Sequence, residues 1–314
     1  MSVDLAKAVG FELPSQDVSW NKRDLLLYAA GIGAKQDDLS FVYELDKDFA
    51  PFPTYPVVLP FKGNDQELNL FSERFDGRAI PGLPNFDTNR VVHGMQLIQT
   101  LKPIPVVSGP GWKLKKRIIG VHENKSGIIV DSEMILADST GTEYAKLYSG
   151  SFHVGARTTG QKFSKSIVTI PTAKPPPKYR RPDWVVTDKT SPEQAVIYRL
   201  SGDYNPLHID PKIGAAASFG GTILHGLSTY GFAARAVLEK AANNDPNALA
   251  LFGVRFSSPV KPGDALETSI WDMGVVNGGS GVREVTFVTK NLDSGKICLN
   301  GGIAHVKKSE KSKL

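Results

Sequence analysis

Tyr198-Arg-Leu-Ser-Gly202-Asp203-Tyr204-Asn205-Pro206-Leu207-His208, followed seventeen residues past its histidine by Leu224-His225-Gly226, decides the reading of this 314-residue chain. Ser191, Pro192 and Gln194 stand where an N-cap, an N1 proline and a capping-box partner belong, so a helix is expected through Tyr198 to about Leu200, with Gly202 ending it. Asp203 and His208 are five apart, roughly 140° on a helix and on opposite faces of a strand. Neither element lets them cooperate. Pro206 fixes its own φ and pushes Asn205 toward extended geometry, so the segment turns and can gather Asp203, Asn205 and His208 into one cleft. A carboxylate, an amide and an imidazole so placed can hold and polarise a water molecule. Read alone, the same residues also suit Asx turns around a satisfied loop histidine.

The second stretch adds to this. After His225-Gly226, small or apolar residues recur at Leu227, Tyr230, Gly231, Ala234, Val237, Leu238 and Ala241, the stripe of a buried amphipathic helix. Gly226 then lies near a helix N-terminus, where free amides and the dipole favour negative charge, and its missing side chain admits a carbonyl close to the backbone.

With Pro211, Ala217, Phe219 and Ile223-Leu-His-Gly226, the motif resembles the hydratase 2 signature of MaoC-like (R)-specific 2-enoyl-CoA hydratases, and the likeness runs from about Asn21 to Val306. The same domain forms part of the peroxisomal multifunctional enzyme type 2. The resemblance implies an α+β double hot-dog fold, two antiparallel sheets each packed on a helix. It implies reversible hydration of trans-2-enoyl-CoA to (R)-3-hydroxyacyl-CoA, with no metal, flavin or nicotinamide; coenzyme A enters only as part of the substrate. Carried over residue by residue, Asp203 and His208 are the catalytic pair, Asn205 helps hold the water, and the Gly226 amide binds the thioester oxygen.

For substrate binding the resemblance points to His93-Gly94, to Lys125 near the charged end of the coenzyme, and to Phe256, with Tyr204, Pro206 and Leu207 from the motif itself. On residues alone, His93-Gly94 is a strand start, Lys125 an exposed turn lysine and Phe256 a core aromatic. Arg199 and Arg255 could meet phosphates or neighbouring acids and are left unassigned.

The bulk properties agree. The length fits about two domains. No run of eighteen apolar residues exists, so no membrane span is expected, and Met1-Ser-Val-Asp-Leu lacks the marks of a secretory signal. Cys298 is the single cysteine, which excludes an internal disulfide. The net charge of +5 would mildly attract a polyanion such as coenzyme A. No nucleic-acid motif accompanies it, so no nucleic-acid partner is expected. Gly31-Ile-Gly33 lacks the third glycine of a dinucleotide fingerprint, Gln36 standing in its place. The chain ends Ser312-Lys313-Leu314, a tripeptide read by the peroxisomal import receptor, so that receptor is an expected partner and the peroxisome the expected location.

The organisation is doubled. Asn21 and Asp24 cap a short helix expected to end at Gly31, and its Tyr28 matches Tyr198. Lys102-Pro103-Ile-Pro105 echoes Ser258-Pro259-Val-Lys-Pro262. Strands follow in each half, at 112–121, 127–137 and 143–154, then at 265–276, 282–289 and 296–306, with turns at Asp138–Thr142, Asn277–Gly281 and Asn291–Gly295. Helix first and antiparallel strands afterwards, twice, reads as a duplicated α+β unit. Residues 1–155 form the first half, for acyl and coenzyme accommodation; 156–190, rich in proline, read as a linker; 191–314 form the catalytic half. The first half has no Asp or Asn-Pro-x-x-His after Tyr28. Its stretch 49–87 shows no clean long amphipathic helix, as if that copy had given up its central helix and opened space for a long or branched acyl chain. A homodimer is expected. Two rivals stand beside the hydratase: a hot-dog thioesterase, marked by release of free thiol, and a non-catalytic acyl-CoA binding module, marked by loss of the turn chemistry that is intact here.

Overall fold

Antiparallel backbone pairing builds one sheet, described by a computed structural model over residues 3–64, 68, 79–87, 90–156, 162–276 and 281–308. The strands are β1 (Glu12–Asp17), β2 (Val91–Thr100), β3 (Lys113–Asn124), β4 (Gly127–Ala137), β5 (Glu143–Val154), β6 (Ser164–Ser166), β7 (Trp184–Lys189), β8 (Leu249–Phe256), β9 (Ala265–Val275), β10 (Arg283–Asn291) and β11 (Ile297–Val306). Their spatial order is β1-β3-β4-β5-β2-β8-β11-β10-β9-β7, with β6 added beside β3. The order reads the same from either end: an edge strand, a three-strand meander, then the strand that follows the helices. The duplication read from the sequence is therefore a pseudo-twofold about the β2–β8 seam, where Met95 pairs with Arg255 and Gln99 with Leu251. Two half-sheets meet there edge to edge, so neither leaves its inner edge unpaired.

The helices are α1 (Leu5–Ala8), α2 (Lys22–Gly31), α3 (Leu39–Val42), α4 (Leu59–Lys62), α5 (Gln194–Tyr198), α6 (Pro211–Ala216) and α7 (Gly226–Ala242). The expected capping box of α2 is present: Asp24 N donates to Asn21 Oδ1 at 3.2 Å and Asn21 N to Asp24 Oδ2 at 2.9 Å. The helix ends at Gly31, as expected. Gly31 stays helical, while Gly33, with φ +74°, makes the turn. A Cβ on Gly31 would lie 3.1 Å from Tyr198 Cα, so Gly31 is needed for close approach of α5. The matched Tyr28 and Tyr198 have ring centroids 6.2 Å apart.

α5 is shorter than expected. Ser191 Oγ is buried without a protein partner, residues 192–193 form a turn, and the helix starts at Gln194 before tightening to 3₁₀ geometry over Arg199–Ser201. α7 exceeds the expected stripe. Twelve of its seventeen residues are buried: the second half-sheet packs against the helix, and so do Gly31 and Ile32 at the end of α2. Gly231 and Gly33 make that second contact possible: a Cβ on Gly231 would sit 2.1 Å from Ile32 Cγ2, and one on Gly33 2.4 Å from Phe232.

In the first half, the described residues of 49–87 contain no long helix; Phe52, a 3₁₀ turn at Tyr55–Val58 and Leu59 fill the core instead. The stretch 156–190 contributes a strand to each half, β6 to the first and β7 to the second. Between them Val168, Ile170 and Ala173 pack across Leu97, Ile119, Tyr148, Leu251 and Ile303 on the outer face of the seam. The Asn277–Gly281 turn lies largely, and Ser312-Lys313-Leu314 wholly, outside the described residues. No described helix is long and apolar enough to cross a membrane.

Candidate active site

Gly202, at φ +122°, turns the chain out of α5; a Cβ there would lie 2.7 Å from the Lys62 backbone, so α4 braces this corner from the first half. Asn205 takes the extended geometry that Pro206 demands, φ −55° and ψ 119°, and caps the 3₁₀ turn Pro206–His208 by accepting from Leu207 N at 3.0 Å. Asp203 Oδ1 accepts from Asn205 N at 3.3 Å. These are the Asx turns that the residues suit on their own, and here they serve to aim side chains. With its oxygen committed to Leu207, Asn205 presents its NH₂ as donor.

His208 is buried, and its Nδ1 donates to the Ile223 carbonyl at 2.8 Å. That bond fixes the tautomer and leaves Nε2 with a free lone pair. Burial lowers the His208 pKa below the ordinary imidazole value, against the pull of Asp203 and the Ile223 bond, so the ring is neutral. His225, the N-cap residue of α7, stacks on His208 with centroids 3.7 Å apart and 28° between planes. Its Nε2 donates to the Asp203 main-chain oxygen at 3.1 Å, and burial drives its pKa well down. His225 thus holds the backbone of Asp203, a role the sequence reading missed by treating His225-Gly226 chiefly as a helix start. The available signal was a histidine at an N-cap, a position ruled by Ser, Thr, Asp and Asn.

Side-chain atoms of Asp203, His208 and His225 lie within 4.8 Å of one another. A metal ion needs ring lone pairs that converge in plane, and two imidazoles stacked at 28° direct theirs side by side. The cluster suits a polarised water better than a cation. Tyr198 Oη, Arg199 Nε, Ser201 Oγ and His225 Nδ1 are also buried here without protein partners, an accumulation typical of functional sites.

Gly226 opens α7 beside this cluster, and a Cβ on it would meet the Phe256 ring at 3.1 Å. Phe256 in turn lies 4.9 Å from the His93 ring across the β2–β8 seam. His93 Nε2 is 3.1 Å from Ser149 Oγ, and desolvation lowers its pKa to about 4. Gly94 sits at a register shift in β2, where a Cβ would be 3.4 Å from Gly150 O. Arg199 stands 5.1 Å over the Tyr204 ring. Leu207 is half-buried and Pro206 exposed. The fold therefore brings Asp203, Asn205, His208 and Gly226 to one place, with Phe256, His93 and Gly94 in sequence beyond. Lys125 stands apart, exposed in the β3–β4 turn; the pairings Gly127–Val154 and Val91–His153 put that turn at the end of the sheet where β2 begins.

A palindromic sheet with one long buried helix, and an Asp/Asn/His turn at that helix's N-terminus, define a double hot-dog protein of the dehydratase and hydratase class. Residues 18–155 match the MFE-2 hydratase 2 N-terminal domain and residues 173–293 the MaoC like domain. "Probable enoyl-CoA hydratase 2" of Dictyostelium discoideum is 32% identical over the full length of both chains. "Peroxisomal multifunctional enzyme type 2" of Mus musculus is 36% identical over 93% of this chain, which spans 37% of that longer enzyme. The crystal structure of a MaoC-like dehydratase from Phytophthora capsici superposes with a TM-score of 0.86 at 36% identity, covering 99% of this chain and 100% of that one. The chain belongs to the MaoC-like hydratase 2 family.

Proposed function

We propose that this protein is an enoyl-CoA hydratase 2, a hydro-lyase that reversibly adds water to a trans-2-enoyl-CoA to give the (R)-3-hydroxyacyl-CoA in peroxisomal fatty-acid β-oxidation. The observation that carries the reading is the His208 Nδ1 bond to Ile223, which leaves a neutral Nε2 acceptor beside the Asp203 carboxylate at the N-terminus of α7. Asp203 and His208 hold one water between them, and the Asn205 NH₂ donates to it. Its oxygen attacks C3 as one of the pair takes its proton, and a proton is delivered to C2 on the same face. Negative charge that develops on the thioester oxygen meets the Gly226 N–H and the first turn of α7.

Phe256, His93 and Gly94, with Tyr204, Pro206 and Leu207 of the turn, contact the acyl-CoA, and Lys125 meets the charged end of the coenzyme. The half 1–155 accommodates acyl chain and coenzyme, 156–190 links the halves, and 191–314 carries the chemistry. No cofactor is required. The working form is a homodimer, carried into the peroxisome by a receptor that reads Ser312-Lys313-Leu314; the peroxisomal name of the mouse relative supports that location.

The test is loss of enoyl-CoA absorbance on adding purified protein, with chiral analysis of the product and a thiol assay alongside. Hydration to the (R)-alcohol is expected, and Asp203→Asn or His208→Ala should each lower the rate by about 10² to 10⁴ while the protein stays folded. Thiol release without hydration would replace this reading with a thioesterase.

A further inference from the structure

The C-terminal end of α2, in the half that lacks the catalytic turn, touches both elements that the proposed hydration needs. The Gly31 carbonyl is one of the orphan acceptors every helix end leaves. It accepts from Gln194 Nε2 at 2.8 Å and from Ser228 Oγ at 2.8 Å, and Gln194 Nε2 also reaches Ala30 O at 3.1 Å. Gln194 opens α5, which runs straight into the Gly202–Asp203 corner; Ser228 lies two residues beyond Gly226 in α7. Both side chains are buried, Gln194 4% and Ser228 0% exposed. On the other side of the site the turn that follows α5 and the segment that leads into α7 are tied by the bonds His208–Ile223 and His225–Asp203. The Gly31 carbonyl closes this frame, and the missing side chain of Gly31 lets Tyr198 approach closely enough for the bonds to form.

We propose that Gln194 and Ser228 are positioning residues that clamp the Gly31 carbonyl and so set the spacing between the Asp203–His208 turn and the Gly226 amide, an inference that rests on the hydration reading above. Neither side chain touches substrate. Each acts through a helix, and a misplacement of about 1 Å in a reacting geometry can cost on the order of 10² in rate. Because both work through one acceptor, their effects must be coupled rather than independent.

Gln194→Met and Ser228→Ala remove the donors with little change of volume, and Ser228→Thr restores a hydroxyl. Steady-state hydration of an enoyl-CoA by the full chain is expected to show kcat lowered about 10- to 100-fold in each of the first two variants. KM should stay within about twofold, and the acid limb of the pH–rate profile should not move, since the titrating groups are intact. Ser228→Thr should recover most of kcat, and the double variant should lose little more than the worse single. Unchanged kcat, multiplicative losses, or kcat, KM and melting temperature all declining together would overturn the clamp while the wild type still hydrates. Should Gln194→Met not fold, Ser228→Ala, which removes one oxygen, decides alone with Ser228→Thr as its control. A wild type that hydrates no enoyl-CoA would instead overturn the hydration reading, and the clamp with it.

Discussion

His208 shows how one residue's surroundings fix its chemistry. Its ring is desolvated and its Nδ1 proton is committed, so the neutral base form persists below the pH at which a free imidazole would charge. The acid limb of kcat/KM is therefore expected at a pKa below about 6.5; a limb at or above that value would contradict a buried neutral base. Stability should follow the same sense. His208 and His225 are lowered by burial, and His93 and His153 reach about 4. In each the unfolded state binds the proton more readily, so stability is complete above about pH 6.5 and falls as the pH drops toward 4. Urea midpoints measured across that range check the sign. Gly226 makes a second prediction at this scale. In Gly226→Ala the new methyl would stand 3.1 Å from the Phe256 ring, at the amide assigned to the oxyanion. Hydration should slow by about 10² with the circular dichroism spectrum unchanged. Asp203, Asn205 and His208 were legible in the sequence because Pro206 forces the turn locally. His225 was not, because its two partnerships, the His208 stack and the Asp203 carbonyl, come from residues seventeen and twenty-two positions away.

At the scale of elements, α7 is the instructive case. Its periodicity announced a helix with one buried stripe, and the helix formed, yet it is buried on nearly all sides. The added burial falls mainly on Ser228, Thr229, Phe232, Ala233 and Ala236, while Gly231, already in the expected stripe, lets Ile32 at the end of α2 press against the helix. Gly231→Ala would drive a methyl to 2.1 Å from Ile32 Cγ2. The overpacking should cost about 1–3 kcal/mol and lower the melting temperature by several degrees, read by scanning calorimetry. The meander strands behave differently. Gly127–Ala137 and Glu143–Val154 were placed to the residue and the others shifted by a few positions, since alternation and the Asp138–Thr142 turn are local signals. Boundaries of α5 were less legible: Gln194 Oε1 does accept from Ser191 N at 3.4 Å, as a capping-box partner would, but its amide nitrogen is spent on α2, and residues 192–193 form a turn rather than the first helical residues.

For the whole molecule, the pseudo-twofold sheet makes each half the other's missing edge. β8 lies between β11 and β2, and α7 lies between its own half-sheet and α2. A fragment spanning 184–314 keeps every residue of the Asp203–His208 turn, but it bares the β8 edge and the Gly231 face of α7. It is expected to aggregate or to lack a cooperative thermal transition, checked by size-exclusion chromatography and circular dichroism; a stable, active fragment would show that the first half is dispensable. The sequence by itself determined the duplicated α+β plan, the Asp203–His208 turn, the glycine at the start of α7 and the family, because each rests on short-range stereochemistry or on a contiguous motif. Only the tertiary structure decided that the two half-sheets fuse through β2 and β8, that His225 supports Asp203, and that α2 meets both α5 and α7 at Gly31. Those contacts join residues up to 197 positions apart, and no local pattern encodes which distant backbone carbonyl a buried amide or hydroxyl will find.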